Sequence, residues 1–318
     1  HGKTTTTSMI AMMLAMAGTD PTVLIGGDLA YLQGNARLGR GPYAVAEADE
    51  SDGSFLKLAP RIAVVTNIEN DHLDYYGTME NILHTFGEFL HKLPVDNGLA
   101  VLCYDNAYLR SLAGQAGCPV VSYAIGHEAD YTAHNIRING ASTIYEAYHH
   151  GSLLGTVTLS VPGRHNVANS LAAIAVGRHL GLDFDLIAGG LEAFQGAKRR
   201  FQTKGRVAGV WVVDDYAHHP TEISTTLAAA RDMNPKRLIC VFQPHRYSRT
   251  KFLYREFGGA FGDADQLILT DIYAAGEEPI EGVTGELILQ EVEAQTGRRS
   301  TYIADKQKIS RYLAQIVE

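Results

Sequence analysis

The chain has 318 residues, of which 46% are hydrophobic and 19% are charged, a balance typical of a folded protein of about two domains. Lysine and arginine number 27 against 35 for aspartate and glutamate, and the net charge of -8 argues against a broad nucleic-acid or anionic-membrane surface. The three cysteines form no CxxC or Cys/His spacing, which argues against disulfides and structural zinc and fits a reducing cytoplasm. No apolar run approaches the ~20 residues of a membrane span.

The chain opens on HGKTTTTSM, which is typical of the downstream half of a phosphate-binding loop. The apolar run that follows predicts the helix such a loop introduces, although this stretch also resembles the apolar core of a signal peptide. We expect Gly2, Lys3, Thr4 and Thr5 to hold nucleotide phosphates, with the Thr4 hydroxyl on Mg²⁺. The alternative is a lysine at a fraying terminus. The loop's first glycine and strand would lie before His1, so we interpret the chain as a fragment.

Short apolar strands alternate with amphipathic helices in the first half of the chain. This pattern predicts an α/β fold with a P-loop-type, mostly parallel sheet. Between about residues 131 and 161, apolar and polar residues alternate around two turn sequences, which predicts a small antiparallel meander beside that sheet. Strands are expected at 23–27, 43–49, 61–68, 99–105 and 120–125, a helix at 78–92, and further helices after Pro162-Gly163.

A second α/β series begins after the loop around residue 196. We therefore expect two domains, residues 1–195 and 196–318, the second Rossmann-like. Strand candidates in the second domain are RVAGVWVVDDY (206–216), RLICVFQP (237–244), DQLILTDIY (265–273) and STYIA (300–304), with helices near 220–233, 250–261, 284–296 and 305–317.

Acidic and imidazole residues follow two strands of the first domain. Glu47 lies in AEADESD, where a carboxylate facing bound phosphates would hold Mg²⁺; the alternative is a solvated acidic loop, to which Glu50 also belongs. His72 lies in NIENDHLD after the next strand and suits a metal or phosphate contact. Its neighbours Asp71 and Asp74 are alternatively helix caps.

The run PGRHNVANS places two asparagines at a helix start. Asn166 and Asn169 would share a face and could pair with the edge of a purine base, whereas the alternative for Asn166 is an N-cap. Downstream, GAKRRF brings Arg199 and Arg200 to the domain joint. A guanidinium there could reach a transferring γ-phosphate, and the alternative is a solvated basic pair.

Two polar runs follow strands of the second domain, VVDDYAHHPTE and FQPHRYSRT. The first run contributes Asp215 and His218, and the second, after what we expect to be the neighbouring strand, contributes His245. Arg246 and Arg249 are three residues apart, so in a helix they would share a face and could bind a carboxylate or a diphosphate.

Together these motifs resemble the Mur ligase family, the ATP-dependent amide-forming enzymes of peptidoglycan precursor synthesis in the bacterial cytoplasm. The runs HGKTTTT, AEADESD, TNIENDHLD, PGRHNVAN, GAKRRF, DDYAHHPTE, FQPHRYSRT and DIYAAGE occur in that family's order and span nearly the whole chain. The resemblance is strongest to members that join L-alanine to UDP-N-acetylmuramic acid. It implies a UDP-binding domain ahead of His1, a central ATP-binding domain, a C-terminal ligase domain and a final segment after Glu318.

The resemblance also implies roles for single residues. Lys3 would contact the β- and γ-phosphates of ATP, and Thr4 and Glu47 would hold one Mg²⁺. His72 would serve a second Mg²⁺ near the substrate carboxylate. Asn166 and Asn169 would contact adenine, Arg200 the γ-phosphate, and Asp215 the nucleotide. The muramoyl carboxylate and alanine would be contacted by His218, His245, Arg246 and Arg249.

The reaction implied by the resemblance passes the γ-phosphoryl of ATP to the lactyl carboxylate, after which the amine of L-alanine displaces phosphate. The alternative within the family is the ligase that attaches a whole tripeptide to the same nucleotide sugar. The alternative from another class is a P-loop regulatory ATPase. A folylpolyglutamate-type ligase lacks support in AEADESD and HHPTE, and the sequence does not indicate an oligomeric state.

Overall fold

The computed structural model describes residues 1–29 and 32–317, which divide into two compact units, His1–Gln202 and Thr203–Glu318. The division falls a few residues after the joint expected from the sequence. The GAKRRF loop is tied to the first unit, because the Lys198 ammonium lies 2.6 Å from Asp28 Oδ2 and the Lys198 amide donates to the Asp28 carbonyl. Within the described ranges no helix is long and apolar enough to cross a membrane.

Helix α1 (Lys3–Met16) forms the centre of the first unit. Its residues from Thr4 to Leu14 are buried, including a run of threonines whose branched side chains disfavour an isolated helix. Packing compensates for this low propensity, since α1 lies against α5 (Arg164–His179) and α6 (Phe184–Glu192). The predicted buried helix after the phosphate-binding sequence is therefore present.

The described strands of the first unit form two hydrogen-bonded sheets. Strand β1 (Thr22–Leu29) pairs in parallel with β3 (Ala44–Ala46) and antiparallel with β2 (Gly34–Arg37). The second sheet has six strands, and its order follows the chain. They are β4 (Ile62–Val65), β5 (Leu99–Cys103), β6 (Val120–Ala124), β7 (Tyr131–Asn139), β8 (Ser142–His149) and β9 (Ser152–Leu159).

The second sheet is parallel from β4 to β7 and antiparallel from β7 to β9. The predicted meander is thus hydrogen-bonded to the parallel strands and continues their sheet. The mostly parallel sheet expected from the sequence is thus present from β4 to β7, and β3 and β4 are edge strands among the described residues. The remaining helices of this unit are α2 (Leu73–Tyr76), α3 (Met79–His91) and α4 (Ala107–Leu112).

The second unit begins with a hairpin where the sequence predicted one strand. Strand β10 (Gln202–Val207) pairs with β11 (Val210–Asp214), and the chain reverses at Ala208 and Gly209, with φ values of 49° and 79°. Two left-handed residues form the tight turn that such a reversal requires. The sequence did not predict this turn, because the run is apolar and alanine rarely adopts positive φ.

A parallel three-stranded sheet forms the core of the second unit, in the order β12 (Ile239–Phe242), β13 (Gln266–Leu269), β14 (Thr301–Tyr302). The strand before VVDDYAHHPTE therefore belongs to the hairpin and does not neighbour β12, contrary to expectation. The helices are α7 (Pro220–Arg231), α8 (Tyr247–Ala260), α9 (Gly285–Thr296) and α10 (Ile309–Ile316).

Candidate active site

The first turn of α1 begins at a glycine that has little space for a side chain. Gly2 is the N-cap with φ 81°, and its carbonyl accepts the first helical bond from Thr6 at 2.9 Å. A Cβ at Gly2 would lie 2.7 Å from Asn169 Oδ1, so both the backbone angle and the space require glycine. The first amides of a helix have no partner within the helix and carry its positive end, which suits an anion such as phosphate.

Thr4 and Glu47 present oxygen atoms side by side at this helix start. The Thr4 hydroxyl donates to Glu47 Oε1 at 2.9 Å, and Glu47 Oε2 accepts the Gly26 amide at 2.6 Å. A hydroxyl beside a carboxylate is a donor set that Mg²⁺ prefers, so these two residues fit the ion that the sequence assigned to them. Gly26 leaves space for the carboxylate, since a Cβ there would lie 2.9 Å from Glu47 Oε1.

Lys3 pairs with a different acidic residue of the same loop. Its ammonium lies 2.6 and 2.5 Å from the two carboxylate oxygens of Glu50. His72 Nε2 lies 3.7 Å from Glu50 Oε1 and 3.5 Å from Asp71 Oδ2. His72 itself is the N-cap of α2 with φ 56°, and the Asp71 carboxylate accepts the His72 amide at 2.9 Å. Glu50 thus links the predicted phosphate lysine to the predicted metal histidine.

A cavity of about 430 Å³ adjoins this cluster. Lys3, Glu50 and His72 contribute to its wall, which is otherwise mainly apolar and includes side chains of α1, α3 and both edge strands β3 and β4. The cavity therefore lies between the two sheets, and the polar cluster borders it.

The two asparagines of PGRHNVANS are buried in the protein. Gly163 is the N-cap of α5, so the alternative interpretation of Asn166 as the cap is wrong. The Asn166 side-chain Nδ2 donates to the Pro162 carbonyl at 2.7 Å, and Asn169 Oδ1 accepts the Thr6 hydroxyl at 3.1 Å. Asn169 is thereby fixed beside the first turn of α1. Adenine contact by either residue stays a prediction.

Arg200 lies near the start of α5. Burial, together with the Arg200 charge, lowers the pKa of His165 to about 4, so this imidazole is neutral near pH 7. The predicted γ-phosphate arginine is thus in the first unit, and its contact with phosphate stays a prediction. Arg199 has φ 56°, and its amide donates to Gln202 Oε1 at 3.1 Å.

The polar runs of the second unit meet through their aromatic and imidazole rings. The ring centroids of His218 and His245 are 5.6 Å apart, and those of His245 and Tyr273 are 5.5 Å apart. Arg249 Nη1 lies 3.3 Å from His245 Nδ1. Burial, and after it the positive charge of Arg249, together lower the pKa of His245 to about 4.

The remaining residues of these two runs lie at or just before the first turns of α7 and α8. Arg246 is the N-cap of α8 with φ 72°, so its backbone is not helical although the helix begins at Tyr247, and a shared binding face with Arg249 stays a prediction. His219 caps α7 in a capping box with Glu222. The Asp215 carboxylate accepts the Ala217 amide at 2.8 Å in the turn before α7.

Comparison with known proteins decides the family. The Mur ligase middle domain model matches residues 1–177, and the model described as Mur ligase, glutamate ligase domain, matches residues 199–318. The chain belongs to the Mur ligase family.

Two of the relatives compared with this Mur ligase are named as L-alanine-adding ligases, and a third is named as a murein peptide ligase. UDP-N-acetylmuramate–L-alanine ligase of Pelotomaculum thermopropionicum is 54% identical over 317 residues, which cover 99% of the chain and 68% of that relative. UDP-N-acetylmuramate-alanine ligase MurC from Thermotoga maritima has a TM-score of 0.80 and 28% identity, covering 99% of the chain and 67% of that structure. The murein peptide ligase mpl from Psychrobacter arcticus has a TM-score of 0.69 and 26% identity, covering 100% and 70%.

The structure of this Mur ligase gathers some predicted site residues and adds one. Thr4 contacts Glu47, Gly2 lies beside Asn169, and Lys3 and His72 both lie beside Glu50. In the sequence Glu50 was only one member of an acidic loop. No local pattern distinguishes Glu50 from the other acidic residues of this run, so the sequence alone does not indicate its contact with Lys3.

Proposed function

We propose that the protein is an ATP-dependent ligase that joins L-alanine to the lactyl carboxylate of UDP-N-acetylmuramic acid and releases ADP and phosphate. It acts in peptidoglycan precursor synthesis in the bacterial cytoplasm. The observation that carries this proposal is the 54% identity to a ligase of that name across 99% of the chain. The oxygen pair of Thr4 and Glu47 at the start of α1 supports it, because acyl activation by ATP needs a metal and phosphate site.

The first unit supplies the nucleotide site in this proposal. The amides at the start of α1, from Gly2 to Thr5, hold the phosphates, and Lys3 offsets the charge of the outer ones. Thr4 and Glu47 hold Mg²⁺, and His72 serves a second ion. Bound Mg²⁺ neutralises phosphate charge, so that an anionic carboxylate can approach the γ-phosphorus.

Adenine and the transferred phosphoryl group are held by residues near α5. Asn166 and Asn169 lie on the first turns of that helix and contact the base, while Arg200 meets the γ-phosphate. Asp215 of the second unit contacts the nucleotide.

The second unit supplies the amino-acid side. His218, His245, Arg246 and Arg249 face the muramoyl carboxylate and L-alanine. Because His245 is held neutral by its low pKa, the anionic carboxylates are attracted by the arginines and not by this imidazole. A carboxylate oxygen attacks the γ-phosphorus, ADP leaves, the alanine amine attacks the acyl carbon, and phosphate departs with that oxygen.

The ligase that adds a whole tripeptide is the second candidate, because the murein peptide ligase has the same fold at 26% identity. Release of ADP is measured in the complete protein with each substrate alone and with both. The proposal predicts release only when UDP-N-acetylmuramic acid and L-alanine are both present. Competition between L-alanine and the tripeptide distinguishes the two ligases, and release without any amino acid would instead indicate a regulatory ATPase.

A further inference from the structure

Lys3, which the proposed function assigns to phosphate, already forms an ion pair with Glu50. Both carboxylate oxygens of Glu50 lie within 2.6 Å of the Lys3 ammonium, and the two side chains are only 31% and 20% exposed. An ammonium has three donors, and this geometry directs two of them to one carboxylate. A phosphate oxygen must therefore compete with Glu50 for Lys3.

Glu50 is held in this place by its backbone. The hydroxyl of buried Tyr76 donates to the Glu50 carbonyl, and the Gly53 amide donates to the same oxygen at 3.1 Å. Because these two contacts fix the backbone, the Glu50 carboxylate can leave Lys3 only by rotation of its own side chain. A phosphate at Lys3 would then meet a like charge at short range.

A divalent cation removes this conflict. Carboxylate oxygens are ligands that Mg²⁺ prefers. His72, which the sequence analysis assigned to a metal, has its Nε2 atom 3.7 Å from Glu50 Oε1. A cation near Glu50 takes over the carboxylate and frees Lys3 for phosphate. Nucleotide and cation then bind cooperatively.

We propose that Glu50 is a specificity-determining residue that makes this site select metal-bound ATP over metal-free ATP. The inference rests on the proposed function, since it concerns the nucleotide of that same reaction. Glu47 is proposed to bind the metal. Glu50 contributes a second negative charge, which weakens nucleotide binding when no cation is present.

The test measures ATP binding to the complete protein by titration calorimetry, in Mg²⁺ and in EDTA. For wild type we expect EDTA to weaken binding at least about tenfold, within the usual range of coupling between two ligands. In Glu50→Gln, metal-free ATP should bind about five- to tenfold more tightly than in wild type, and the ratio between the two conditions should shrink by a similar factor.

Asp52→Asn is the matched control. It removes the same charge from the same loop, and the Asp52 carboxylate accepts the Ser54 amide at 2.9 Å, a bond that asparagine can keep. The ratio of its ATP affinity in Mg²⁺ to its affinity in EDTA should equal that of wild type. Thermal unfolding of each variant verifies that it is folded, and Glu50→Ala, which also frees Lys3, must reproduce the smaller ratio.

Two outcomes overturn the inference in different ways. A Glu50→Gln protein that binds Mg²⁺-ATP yet retains the wild-type ratio overturns the role of Glu50 and leaves the proposed function standing. A wild-type protein that binds ATP in neither condition overturns both.

Discussion

Thr4 and Glu47 are 43 residues apart in the chain, yet the hydroxyl of one donates to the carboxylate of the other at 2.9 Å. The contact joins the first turn of α1 to the loop that follows β3. The proposed function assigns this oxygen pair to the Mg²⁺ that acyl activation needs.

Removal of the Glu47 charge should abolish the reaction and leave the fold intact. Glu47→Gln keeps an oxygen that can accept from Thr4 or from Gly26, so we expect a change in unfolding free energy of about 1 kcal/mol or less. Amide formation should fall at least about 100-fold, because a charged ligand of the metal is lost. Lys3→Ala should have a comparable effect. Unchanged amide formation in either variant would contradict the phosphate and metal assignments.

Gly26→Ala tests whether the position of Glu47 matters. The added Cβ would lie 2.9 Å from Glu47 Oε1, and the end of a flexible side chain can move away at little cost in stability. We therefore expect a small loss of stability and a clear loss of turnover, about tenfold or more, since displacement of a metal ligand by even 1 Å is costly. Gly34→Ala, also in a strand but with open space around its Cβ, should retain wild-type turnover. Equal turnover in the two variants would count against the assignment.

His245 should remain neutral to unusually low pH. Its pKa of about 4 is depressed by burial and by Arg249, so in the folded protein its NMR titration midpoint should lie near that value. The unfolded chain binds this proton at a higher pH, so the contribution of His245 to stability is complete above the unfolded pKa and is lost as pH falls toward 4. Arg249→Met should raise the midpoint, because a neighbouring positive charge is removed. A midpoint unaffected by this change would show that the charge does not act on His245.

Asn169 should contribute to both stability and base recognition. Asn169→Ala leaves the buried Thr6 hydroxyl without its acceptor, which we expect to cost about 1–3 kcal/mol of unfolding free energy. It should also weaken the preference for ATP over GTP. Thr6→Val breaks the same hydrogen bond but leaves the amide, so it should lower stability and preserve the preference. If both variants retain the preference, the adenine assignment of Asn169 is wrong.

The sequence predicted the strands and helices better than it predicted how strands pair. Hydrophobic periodicity identifies a buried strand such as β4, but its neighbours depend on long-range packing, and β3 and β4 belong to separate sheets. Within the site, a G-K-T motif leading into a helix and a carboxylate after a strand predict Thr4 and Glu47, which the structure places in contact, while their metal role stays a prediction. Which acidic residue of the run pairs with Lys3 depends on side-chain packing around Glu50, and no local pattern reveals it.

The most direct test follows an oxygen atom. UDP-N-acetylmuramic acid labelled with ¹⁸O in its lactyl carboxylate is converted by the complete protein with ATP and L-alanine, and the released phosphate is analysed by mass spectrometry. An acyl phosphate requires that one carboxylate oxygen leave with each phosphate, so we predict one labelled oxygen per phosphate from fully labelled substrate. Phosphate without label, formed together with the amide, would contradict carboxylate activation by ATP and with it the proposed reaction.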